Sequence, residues 1–392
     1  MGHPRDRRRR LDVLVVGLLL ALLAAAAGCD DPSGASPDRP ASVAPSEDGL
    51  PSDEGSTGSD PTGEGPSRGG KDASRDDPRG RVTLAFGGDV HFEAHVAALL
   101  QRPQQGLGRI NEVLSGADLA MVNLETAITT RGTAEPKLYT FRTSARALDL
   151  LAASGVDVVT MANNHAADYG SVGLEDTLEV IRDHPMPVVG VGRDSAQAFR
   201  PHRVSIGGTD LAVLGAVTTR EYTTRNWAAG DGEPGVASAT TPKPRRLLEA
   251  VRAAKARDHV VVVYLHWGHE LDTCPTPRQR SYARQLSRAG ADIIVGSHAH
   301  VLQGSGWLGD TYVNYGLGNF VWYHGYRPQT GVLTLTLRNG EVTGDSFAPA
   351  LTQGDGTPGP LAGSAQAAAV EAWEGLRGCA NLAPAPPGPG SS

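Results

Sequence analysis

The chain has 392 residues, 40% of them apolar, and a formal net charge of −7. That length allows a large buried core, while the acidic balance supplies no basic field for nucleic acid and no basic patch for anionic lipid on the folded part. Three cysteines are few for a secreted chain and exclude a disulfide-built scaffold.

The N-terminus reads as an address. Arg5 and Arg7 to Arg10 form a basic region, and residues 13–27 are apolar and end in alanines. The run is too short for a comfortable membrane span, which needs about 20 residues, and suits a secretory signal. Ala26-Ala27-Gly28-Cys29 resembles the bacterial lipobox, so 1–28 is expected to be a lipoprotein signal peptide and Cys29 the lipidated residue; an ordinary cleaved signal is the alternative. The expected location is outside the cytoplasm, anchored to the cell membrane. Residues 30–80 contain no aromatic side chain, with 12 acidic and 5 basic ones among Ser, Gly and Pro. Such a segment cannot bury enough apolar area to offset its ordering entropy. Residues 29–80 are therefore expected to be a flexible tether.

From residue 81 to about 350, strand-like runs alternate with helical patterns. Strands are expected at 82–88, 118–125, 156–163 and 187–192, with helices near 93–101, 144–153 and 171–183. A hairpin follows at 203–217, then a helix at 243–257. The β-branched run at 259–267 marks a central strand covered on both faces. A helix at 276–289, a strand at 291–297 and strands near 301–306, 311–316, 331–338 and 341–348 complete the domain. This order predicts an α/β sandwich with mixed sheets. Residues 351–378 should be a loop and a short helix docked through Val370 and Trp373, and 379–392 a disordered Pro/Gly tail. Cys274 and Cys379 either pair or stay free; their sequence context does not choose.

The chemistry sits just past the expected strand ends, where open α/β sheets bind ligands. The motifs are GGDVH (Asp89, His91), NLE (Asn123, Glu125), NNH (Asn164, His165), HWG (His266) and GSHAH (His298, His300). Asp89 and His91 are two residues apart, as are His298 and His300, so in extended chain each pair shares a face. Carboxylate and amide oxygens mixed with imidazoles suit borderline-hard divalent ions such as Mn, Fe or Zn. Two such ions about 3.5–4 Å apart clamp the attacking and leaving oxygens of an ester displacement.

The ordered series GGD, NLE, NNH, HWG-x-E, GSHAH and YGLGNF resembles that of the bacterial CapA family, poly-γ-glutamate capsule-biosynthesis proteins. The resemblance spans about 82–350 and implies a calcineurin-like metallophosphoesterase fold, two mixed β-sheets flanked by helices. It also implies roles. Asp89, His91 and His300 would hold one metal, and Asn164, His266 and His298 the other. Glu125 would bridge them, where the superfamily normally has Asp, and His165 would protonate the leaving oxygen. Glu270 and Asn319 fall in family motifs and would support ligands or touch substrate, and Asn123 would orient Glu125.

Two functions follow from the resemblance. One is a two-metal hydrolase of phosphoester type in capsule, poly-γ-glutamate or envelope-polymer synthesis. The other is a non-catalytic lipoprotein that binds or guides an anionic polymer during export. Both imply a polymer or phosphoester partner and contact with capsule-synthesis machinery.

Overall fold

The computed structural model describes residues 80–257 and 259–387. The expected signal segment, Cys29, the tether up to residue 79 and the tail residues 388–392 lie outside the described residues. No helix among the described residues is long and apolar enough to cross a membrane.

Two mixed sheets carry the fold. The first runs Pro358–Pro360, Glu341–Thr352, Gln329–Arg338, Arg81–Val90, Leu119–Leu124, Val158–Thr160, Val188–Val189. Arg81–Val90 changes the sense of pairing: it is antiparallel to Gln329–Arg338 and parallel to Leu119–Leu124. The second sheet runs Ser305–Leu308, Thr311–Asn314, Ile293–Ser297, Val260–His266, Thr209–Val217, His202–Ile206. Its centre is parallel.

The two-residue period of each strand divides its side chains between two cores. Val82, Leu84 and Phe86 share a cluster with Val213, Val262, Tyr264 and Ile293, where the sheets face each other. Val261, Val263 and Leu265 belong instead to a cluster with Leu247, Val251, Tyr282 and Leu286, which come from the helices Arg245–Lys255 and Pro277–Ala289. Strand Val260–His266 is thus buried on both faces, as its unbroken apolar run requires. Tyr264 spans the interface and donates its hydroxyl to the Gly87 carbonyl at 2.7 Å.

Local chemistry fixes the helix that precedes the GSHAH strand. Thr276 caps its first turn, the Gln279 side chain returns to the Thr276 N–H at 2.8 Å, and Pro277 takes the first position, where its missing N–H costs nothing. Gly290, at φ 101°, ends it in the left-handed conformation.

Several expectations shift. The helix expected at 93–101 is a three-residue-per-turn helix, Ala94–Gln101. The strand expected near 301–306 begins at Ser305, because residues 298–304 form the loop that leaves the site. Asn319–Val321, within the YGLGNF motif, is a strand beside Asp89. The helix expected within 351–378 is Gly363–Gly375, followed by the short helix Arg377–Ala380, and its Trp373 stacks on Phe347 at 4.7 Å. The tail expected to be disordered from residue 379 is tied down at its start. Cys379 is bonded to Cys274, with Cα atoms 5.6 Å apart. Ala383 and Trp307 exchange both backbone hydrogen bonds at 2.9 Å. A covalent bond and an edge-strand pairing anchor a segment whose composition has little else to offer.

Candidate metal centre

The parallel strands of both sheets end at one place. Asp89 is the penultimate residue of Arg81–Val90, Asn123 lies near the end of Leu119–Leu124, His266 closes Val260–His266, and His298 follows Ile293–Ser297. Two glycines permit the approach. A side chain at Gly88 would lie 2.0 Å from the Gly318 carbonyl oxygen, and one at Gly296 would lie 2.2 Å from that of Tyr315. Past Gly296 the backbone is strained: His298 and His300 adopt φ of 83° and 55°, a region side-chain-bearing residues rarely enter. Such strain persists only where surrounding contacts impose it, and it gathers at functional sites.

Two overlapping sets of donors result. Asp89, Glu125 and His266 present ligand-type atoms within 4.8 Å of one another, and so do Glu125, His298 and His300. Glu125 is common to both. It is fully buried, and neither carboxylate oxygen has a hydrogen-bond partner. Burial and then the Asp89 charge push its pKa well above the usual carboxylate range. A buried, unsatisfied carboxylate costs free energy unless something binds it. These buried His, Asp and Glu groups are therefore compatible with a metal site.

The atoms around His266 reinforce this. Its Nε2 lies 2.7 Å from Asn164 Oδ1, 3.0 Å from His298 Nδ1 and 3.4 Å from Glu125 Oε1. Its Nδ1 is held by Ser297 Oγ at 3.0 Å and the Asn123 amide at 3.2 Å. Burial depresses the His266 pKa to about 4 and holds that of His298 well below the ordinary value, so both rings are neutral and carry lone pairs.

Asp89 is held from both sides. The Asn123 amide donates to Oδ1 at 2.7 Å, and the His298 backbone N–H donates to Oδ2 at 3.0 Å. Burial opposes its charge, but His300, His266 and Asn123 outweigh burial and lower its pKa. Asn123 thus orients Asp89 and His266 rather than the expected Glu125. Asn319 lies opposite Asp89 across the strand pair, and its Oδ1 meets His300 Nδ1 at 2.8 Å. Burial works against charge on His300, yet Glu125 and Asp89 carry its pKa up to about 9.

His165 faces the centre from the NNH turn. Its Nδ1 meets Asp168 Oδ2 at 2.6 Å, and its Nε2 points inward, 3.8 Å from Glu125 Oε1. Lys137 clamps the arrangement, donating to Asp168 Oδ1 at 2.7 Å and to the Asn164 carbonyl at 2.6 Å. Burial, then the Lys137 charge, keeps the His165 pKa well below its usual value. Burial pushes Asp168 up to about 7 against the pull of Lys137.

His91 stands outside both donor sets. Its Nδ1 accepts the Glu93 backbone N–H at 3.0 Å, so the ring proton sits on Nε2, which is buried and finds no acceptor. The ring stacks on Phe141 at 4.6 Å. Glu270 lines a cavity of about 180 Å³ that includes His165 and His300. Trp267 is fully buried core, stacked on Tyr315.

Three contributors escaped the sequence reading. Glu221 accepts from Asn164 Nδ2 at 2.5 Å and lies 3.4 Å from His298 Nε2, so one carboxylate orients two donors. It sits on a separate loop, and no local spacing marks it. Lys137 is equally remote. Asp168 follows His165 by three residues, a signal that was available.

A two-sheet sandwich with this oxygen-and-imidazole set at its parallel strand ends has the architecture of a metallophosphoesterase-like protein. A family model described as "Bacterial capsule synthesis protein PGA_cap" matches residues 83–324. The chain belongs to that family, which sits within the metallophosphoesterase-like superfamily. It is 31% identical over 253 residues to "PGA biosynthesis protein CapA" of Bacillus subtilis (strain 168), covering 62% of this chain and 64% of the relative. It is 31% identical over 267 residues to "Capsule biosynthesis protein CapA" of Bacillus anthracis, covering 63% and 61%. The chain thus spans a little over three fifths of these relatives' length. A solved structure titled as a novel phosphatase, from Mycoplasma pneumoniae, aligns with 70% of this chain and 95% of its own, at 15% identity and a TM-score of 0.46.

Proposed function

We propose that the chain is an exported, lipid-tethered hydrolase that uses two divalent ions to cleave a phosphoester during synthesis of capsule, poly-γ-glutamate or another envelope polymer. The observation that carries this reading is Glu125: two buried donor sets share it, and both its oxygens lack partners. Asp89, His300 and Glu125 would hold one ion, with His91 bordering it; Asn164, His266, His298 and Glu125 would hold the other. Mn, Fe or Zn fits such a mixed set. When bound, the ions supply positive charge for the transition state and an acidified water.

The remaining work falls to side chains. With Asp168 accepting from Nδ1, His165 has its Nε2 free to carry a proton at the face of the centre. Lys137 holds the Asp168 carboxylate in place. Asn123 and Asn319 fix Asp89 and His300. Export is supported by the signal-like N-terminus and the lipobox-like Cys29. The Cys274–Cys379 bond adds support, since disulfides persist where thiols are not kept reduced. The relatives' names make capsule-synthesis machinery the natural partner.

The test is metal content and aryl-phosphate turnover of the full chain with Mn²⁺. Asp89→Asn should lose metal and activity. His165→Ala should keep metal and lose about 10²–10⁴-fold in turnover. A wild-type chain that retains no metal refutes the proposal. Retained metal and polymer binding, without turnover, would favour a polymer guide instead.

A further inference from the structure

The centre opens into a vestibule whose walls are aromatic. Phe141 stacks on His165 at 4.0 Å, and Trp322 lies 4.7 Å from the His300 ring. From Trp322 the rings continue outward through Tyr323, His324 and Tyr326, with successive centroids 6.0, 4.9 and 6.5 Å apart. Tyr139 and Leu271 complete the mouth. Large apolar side chains are rarely left in water, yet Tyr139 is 56% exposed, Tyr326 58% and Leu271 45%. Scattered exposure needs no explanation, but a cluster at the mouth of a site marks binding.

The charges restrict what can bind. No lysine or arginine lines this cavity among the described residues, and Glu270 is its carboxylate. Lys137 is turned toward Asp168 and the Asn164 carbonyl, and Arg327 lies over the Tyr326 ring at 5.6 Å. On the walls a polycarboxylate chain would meet the like charge of Glu270, and the positive groups near it are His300 at the floor and Arg327 at the rim, too few to pair a run of carboxylates. A sugar ring instead presents apolar C–H faces to aromatic walls and a rim of hydroxyls to Glu270, Asn319 and His324. A plain aryl group would use the same walls but make no hydrogen bond to the exposed Glu270 and His324. The volume of about 180 Å³ equals that of about six waters, room for a single ring.

We propose that the vestibule is a carbohydrate subsite and that it seats the leaving group of a sugar phosphate ester. The inference rests on the hydrolase reading and names the substrate class for that same site. In the reaction, water oxygen bonds to phosphorus. The bond from phosphorus to the sugar oxygen breaks with its electron pair on that oxygen, and a proton of the water ends there by way of His165 Nε2.

The test uses the full chain with Mn²⁺ and three esters: N-acetylglucosamine 1-phosphate, phenyl phosphate and methyl phosphate. The sugar ester should show a KM at least tenfold below the other two. That advantage should shrink about tenfold in the double variant Tyr139→Ala, Tyr326→Ala, at two positions more than half exposed. Free N-acetylglucosamine should also quench tryptophan fluorescence of the metal-free chain, with poly-γ-glutamate failing to displace it. Sugar binding without turnover of any ester refutes the hydrolase reading and keeps the subsite. Turnover of all three esters with equal KM, a preference for phenyl phosphate, or displacement of the sugar by poly-γ-glutamate overturns the subsite.

Discussion

Replacing Glu125 with glutamine should raise the stability of the metal-free protein and remove most of its gain from metal. In the wild type both Glu125 oxygens are buried without partners, and a ligand oxygen of Asp89 lies within 4.8 Å. An unsatisfied buried polar group costs about 1–3 kcal/mol, more when charged. Glutamine keeps the shape, can carry no charge beside Asp89 and offers N–H groups to neighbouring acceptors. The metal-free variant should therefore gain about 1–3 kcal/mol, worth about 2–4 °C in melting temperature per kcal/mol for a domain of this class. The wild type should gain about 2.7 kcal/mol per site when metal stands at a hundredfold excess over its dissociation constant. The variant, lacking the shared ligand, should keep little of that. Thermal melts of both proteins in EDTA and in Mn²⁺ read the four states. A variant less stable than wild type in EDTA, with its Mn²⁺ shift intact, would refute the reasoning.

Metal affinity should rise with pH. His300 holds its proton up to about pH 9 in the metal-free protein and must release it before its nitrogen can ligate. Between pH 6.5 and 8.5 the gain approaches about tenfold per unit for the His300 proton, and any proton held by Glu125 adds to it; calorimetry in two buffers counts the protons, and a flat affinity refutes the assignment. Glu221→Ala should weaken metal binding about 10–100-fold without unfolding the domain, and Glu221→Gln, which still offers Asn164 an acceptor, should recover part of it. An unchanged affinity in Glu221→Ala would show that Asn164 and His298 need no such support. Cys274→Ser should cost about 4 kcal/mol, since the bond closes a loop of sequence separation 105. A melting temperature indifferent to that change and to reductant would place the bond outside the stability of the domain.

Much of the centre was legible because its parts are local. GGDVH and GSHAH lie at strand ends, and the VVVVYLH run announces a strand buried on both faces. Periodicity of two or 3.6 residues is written in neighbouring side chains, so strands, helices and the side chains at their ends can be read from the chain alone. Convergence is not local. Asn164 meets Glu221 across 57 residues, and the His298 N–H meets Asp89 across 209. Those meetings depend on the pairing order and register of two sheets, set by how whole faces pack. The same packing turned Asn123 toward Asp89, left His91 bonded to the Glu93 N–H outside both donor sets, and brought Lys137 under Asp168. It also brought Cys379 to Cys274. The sequence by itself therefore determined which side chains stand at the strand ends; the tertiary structure decided which of them face one another, because only folding sets the distances between segments far apart in the chain.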